Sequence, residues 1–192
     1  MAPTGLITQG DQSDSRNLRV LLGLCAMYYD YGDPAALEGA AVMFRRAAER
    51  SQRPVSIAWA NSLLGWVHYQ RNDLAAAGRY FSSVVNAPGG AHIRAVLEAY
   101  AGIVLTQCAK TQWDQAHAAA NELAAWLAEH QLAGLYQFAD ALAIWIDLAS
   151  HDASQSRSIP LAEGLIASSL ELWVMPRWYR HGYGCKTHIR AI

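Results

Sequence analysis

The chain has 192 residues, of which 53% are hydrophobic and 16% charged, with a formal net charge of -1. That is enough apolar material for one domain with a substantial core, and too little charge of either sign to attract nucleic acid or an anionic membrane over a distance. Cys25, Cys108 and Cys185 are odd in number and widely spaced, which suits buried reduced thiols better than a disulfide framework.

In chain order, the opening MAPTGLITQGDQSDSRN has neither the basic start nor the apolar stretch of a secretory signal. No later segment approaches the length of a membrane helix, so a cytoplasmic location is expected. Residues 1–15 read as a flexible segment. From residue 16 to residue 176 apolar side chains recur every three or four positions, the period of helices packed on one face. Breaks are expected at Gly32-Asp33-Pro34, Gln52-Arg53-Pro54, Arg71-Asn72-Asp73, Ala87-Pro88-Gly89-Gly90, Lys110-Thr111-Gln112, His130 to Gly134 and Ser150 to Pro160. They divide the chain into roughly eight helices. Links of a few residues force neighbours to run antiparallel, which gives about four helix hairpins. Residues 177–192 form a tail that reads as the start of a truncated further repeat.

The hairpins carry a weak internal repeat. Ala40, Phe44 and Ala47, then Ala77, Phe81 and Val84, then Ala116, Ala120 and Leu123 share a spacing of four and then three, which puts each set on one helical face. The clearest unit, Ala58 to Gly90, follows the tetratricopeptide (TPR) pattern W-x2-L-G-x2-Y, A-x3-F, P through Leu64, Gly65, Ala77, Phe81 and Pro88. It departs from that pattern at Asn61, at His68 and in the position of Pro88, and its repeat is longer than 34 residues. Gly65 and Ala77 suit a close helix–helix approach, with Phe81 filling the space beyond it. The fold class expected is therefore all-α, a TPR-like right-handed superhelix.

The stretches WANSLLGWVHYQRNDLAAAGRYFSSVV and LEAYAGIVLTQCAKTQWDQAHAAANEL, above all the words HYQRNDLAAA and TQWDQA, resemble the helical-repeat region of MalT-like, LuxR-type large ATP-binding transcriptional regulators. The resemblance runs from about Asp30 to the end. It implies a sensor segment that holds an inducer or a protein partner and relays binding to an ATPase before it and a DNA-binding domain after it. The chain itself has no G-x4-G-K-[ST] phosphate loop and no C-terminal helix-turn-helix, so neither ATP hydrolysis nor promoter binding is expected of it.

Residues able to carry chemistry are scattered. His181, Cys185 and His188 form the one donor cluster, HGYGCKTH, without the fourth ligand that a structural zinc needs. His68 reads as a half-buried packing residue. Arg177, Arg180, Lys186 and Arg190 lie among aromatics in the tail, but no nucleic-acid-binding scaffold supports them. No nucleophile–base arrangement, cofactor motif or metal site is found, and no catalysis is expected. Recognition is assigned to a concave groove lined by first helices of the hairpins. In the register set at Gly65 the lining is Trp59, Ser62, Trp66, Tyr69 and Gln70, joined by Glu98 from the next hairpin. Packing against the neighbouring hairpin is the competing reading for both tryptophans, favoured for Trp59 and evenly matched for Trp66. Trp145 and Tyr136 are candidates to close the groove. A freestanding protein-interaction scaffold unrelated to transcription is the alternative function. The apolar last helix, LAEGLIASSLELWVM, points to a homodimer through an uncapped chain end.

Overall fold

The computed structural model describes residues 9–87 and 90–150, and in them the chain is all-helical. Seven α-helices follow one another: α1 (Gln9–Tyr31), α2 (Pro34–Arg50), α3 (Pro54–Gln70), α4 (Leu74–Val85), α5 (Ile93–Ala109), α6 (Trp113–Glu129) and α7 (Tyr136–Ser150), with one turn of 3-10 helix, Ala133–Leu135, before the last. The first helix begins at Gln9, so the boundary expected near residue 15 lies inside α1. Pro88, the last expected helix and the tail of 177–192 lie outside the described residues.

Local chemistry starts and stops these helices where the breaks were read. Asp33 accepts hydrogen bonds from the N–H groups of Ala35 and Ala36 at 3.1 and 2.9 Å, with Pro34 at the first helical position. Asp73 accepts one from Ala76 N–H at 3.0 Å. That bond is the main reason its carboxyl group titrates below the usual range, with His68 adding to the effect. His92 Nδ1 caps α5 by accepting from Arg94 N–H at 3.2 Å.

Five helix ends share one geometry. Gly32, Gln52, Asn72, Thr111 and Gln131 adopt φ of 72°, 48°, 59°, 57° and 56°. The next N–H in each case reaches back five residues: Asp33 to Tyr28, Arg53 to Ala48, Asp73 to His68, Gln112 to Gln107 and Leu132 to Leu127, at 2.9 to 3.1 Å. This is the Schellman closure, in which a left-handed residue lets the chain satisfy the last carbonyls and reverse. Only one of the five is glycine, so four of the turns hold a side chain in a backbone region that costs energy.

Each helix packs on the next, and α5 also packs on both α3 and α7. Consecutive helices run in opposite directions, with Asn61 Nδ2 donating to Ser83 Oγ at 3.0 Å between α3 and α4 and His117 paired with Asp147 at 3.2 Å between α6 and α7. Alternate helices run the same way: Trp59 meets His92, Ser62 meets Glu98, and Gly65 and Gly102 share a neighbour. That neighbour is Phe81, fully buried from α4. A Cβ built on Gly65 would lie 2.5 Å from the Phe81 ring, and one on Gly102 would lie 2.3 Å from it. One ring is thus seated between two glycines of two helices.

Measured from the turns, the internal repeat is less regular than the sequence spacing suggests. Ala77 and Ala116 both stand four residues after the cap of their helix and donate their N–H to its carbonyl. In α2 that place belongs to Leu37, so Ala40 and Phe44 sit almost one helical turn further on. They remain buried because a shift of three stays on the same face. Cys25 and Cys108 are buried free thiols, pushed by burial up to about 11 and about 12.

Candidate recognition site

Glu98 stands at the centre of the only charged group buried among the described residues. It lies in the second turn of α5, 1% exposed. Arg94, one turn earlier, donates Nε–H to its Oε1 at 3.0 Å, and the fully buried Ser62 of α3 offers its hydroxyl to Oε2 at 3.5 Å. Burial pushes the carboxyl up to about 7, against the pull of the Arg94 charge and the two hydrogen bonds. Tyr29 of α1 belongs to the same interior. Burial first and the Glu98 charge second drive its phenol well above the usual range, Asp30 adds to this, and Arg94 opposes it.

Arg94 links this interior to solvent. Its side chain is 46% exposed, and its guanidinium carbon stands 6.0 Å above the ring of Trp59, which is itself half-buried. His92 approaches the same indole with ring centroids 5.6 Å apart and planes tilted by 31°. Indole, imidazole and guanidinium therefore form a rim, and Glu98 fixes the guanidinium from beneath. A guanidinium held this way keeps its outward N–H groups for a planar anionic acceptor.

The expected groove stripe does not exist as one surface. Ser62 and Trp66 are 0% exposed and Glu98 is 1% exposed. Trp66 packs edge-on to Phe81 at 5.2 Å and to Tyr69 at 6.0 Å, and its Nε1 has no hydrogen-bond partner among the described residues. The cause is the position of α3, which packs against α2, α4 and α5 and has apolar residues all round it. Trp59, Tyr69 and Gln70 keep partial exposure. Trp59 is separated from the other two by ten residues or more, about 15 Å of helix. The two tryptophans exchange roles: Trp66 is the packing residue and Trp59 the one that reaches solvent. Leu64, Gly65, Ala77 and Phe81 lie in the core, as do Ala40, Phe44 and Ala116. Tyr136 is exposed and Trp145 half-buried, both on α7.

Arg94, His92 and Tyr29 lie outside the groove expected from the sequence. Arg94 and Glu98 are an i, i+4 pair of opposite charge on one helix, a signal present in the chain itself. Nothing in the sequence announces Tyr29, which reaches the site only through the stacking of α1. His68 is half-buried, stacked on Tyr80 at 5.2 Å and 3.2 Å from Asp73. Among the described residues no set of three metal-donor side chains comes together, and no helix is long and apolar enough to cross a membrane. The donors His181, Cys185 and His188 and the basic tail lie outside the described residues. No family model, curated protein or solved structure matches the chain.

Proposed function

We propose that this chain is a non-catalytic recognition module, a TPR-like helical-repeat segment of a signal-responsive transcriptional regulator. It holds an inducer or a partner segment at the Trp59–His92–Arg94 rim. The observation that carries the reading is Arg94, tied from below by the buried Glu98, lying over an indole, and nearly half in solvent. That arrangement fits a ligand with a carboxylate for the guanidinium and a flat or apolar part for Trp59. The absence of a catalytic role draws on the closure of the same site. Glu98 has a shifted pKa and a hydroxyl beside it, yet at 1% exposure no substrate reaches its carboxylate without movement of a helix.

The repeat architecture is supported by short-turn hairpins, by alternate helices that run parallel, and by the Gly65–Phe81–Gly102 stack. The assignment to a regulator rests on the resemblance carried by residues 59–85 and 97–123.

Tryptophan fluorescence tests the site. In a titration with small aliphatic and aromatic carboxylates and short peptides, a saturable change is expected that Trp59→Phe removes and Arg94→Gln weakens at least about tenfold. Retention of the change in Arg94→Gln, or no change with any carboxylate, refutes a carboxylate site on this rim.

A further inference from the structure

The outward face of α1 is unlike any other helix surface described. Val20, Leu24, Met27 and Tyr31 are 63%, 37%, 41% and 81% exposed. Their steps of four, three and four residues put them within about 60° of one another at about 100° per residue. The core-facing Leu18, Cys25 and Tyr29 lie on the far side of the same helix. These steps are those of a two-helix seam, and a row of apolar side chains about 17 Å long is more than isolated surface leucines amount to.

We propose that this row is the contact of a symmetric, antiparallel dimer of this chain, α1 against α1. The helix carries its own complement. Arg16, Gly23 and Asp30 follow one edge of the row at seven-residue intervals, with both charged residues exposed. A two-fold axis passing near Gly23 brings Arg16 of each copy to Asp30 of the other. Nothing lies within 4 Å of the position a Cβ would take at Gly23, so the two backbones meet closely at the axis. The parallel arrangement would set Arg16 against Arg16 and Asp30 against Asp30, which disfavours it.

The most exposed apolar side chain also finds a receptor. A cleft of about 570 Å³ opens between α1 and the end of α2, lined by Asn17, Val20, Leu21, Ala47, Arg50 and Ser51. In the antiparallel pairing Tyr31 of the second copy falls beside Ser15 and Asn17 and enters this cleft, its ring toward Arg50. The operation is isologous, so both tyrosines and both clefts are used. A contact along one helix stays below the ~1,200 Å² typical of lasting interfaces, so the dimer exchanges with monomer.

Size-exclusion chromatography with light scattering on the full chain across a wide concentration range tests this. The mass is expected to rise from one chain to two, and Leu24→Glu and Tyr31→Glu, both at exposed positions, should leave a monomer with unchanged circular dichroism. Arg16→Glu alone and Asp30→Arg alone should each weaken the dimer at least about tenfold, and the two together should restore it. A monomer at every concentration, as when residues 151–192 or another protein cover this face, overturns the proposal. So does a dimer that survives Leu24→Glu, which places the contact elsewhere, or a charge swap that fails to restore association.

Discussion

Replacement of Glu98 by glutamine should abolish a pH dependence of stability that the wild-type chain carries between about pH 4.5 and 7. In the folded chain the Glu98 carboxyl titrates near 7 because it is buried, whereas in the unfolded chain it titrates near 4.5. Between those values the folded state binds more protons than the unfolded one, so stability falls as pH rises through the window and levels off above it. A shift from 4.5 to about 7 at 1.36 kcal/mol per unit amounts to about 3 kcal/mol. That is roughly 6 to 12 °C in Tm for a chain of this size. Urea denaturation followed by circular dichroism at a series of pH values measures it. Glu98→Gln keeps the shape and has no proton to lose, so it should match wild type near pH 4 and exceed it at pH 8. Contributions from other groups are common to both proteins and cancel in the difference. The Asp73 carboxyl, held low, loses its contribution only at more acid pH, and the raised thiols and phenols act only in alkali. Two proteins with parallel pH profiles would refute the claim that Glu98 is ionised in the interior at a cost.

Gly65→Ala and Gly102→Ala should each cost about 1–3 kcal/mol in urea denaturation despite the better helix propensity of alanine, because each methyl group meets the Phe81 ring. In a Phe81→Leu background either alanine should cost less, since the obstructing ring is gone; equal costs in both backgrounds would show that the ring is not the obstacle. Thr111→Gly should stabilise the chain by about 1 kcal/mol, seen as a Tm rise of roughly 2–4 °C. A β-branched residue there holds a φ of 57° that glycine adopts freely. Gly32→Ala, at φ 72°, should change Tm in the opposite sense.

Helix content and breaks were legible in the sequence because they are local. Asp33-Pro34, Asp73 and the apolar period each act within a few residues, and the helices stop where the chain chemistry stops them. The Gly65–Phe81 approach was also legible as a small residue facing a large one at a recognisable spacing. Burial around α3 was not. A periodic stripe shows which residues share a face but not how many neighbours that face will have, and α3 has a neighbour on almost every side. Ser62, Trp66 and Glu98 therefore passed from an expected surface to the interior, while Trp59 reached the rim. The site now centres on Arg94, whose role depends on three helices that meet at Glu98. The outward row of α1 lies between these cases. Its spacing is written in the sequence, but only the packing of α2 and the core on the opposite side of α1 left it exposed, because which face of an amphipathic helix is covered is decided by what stacks against it.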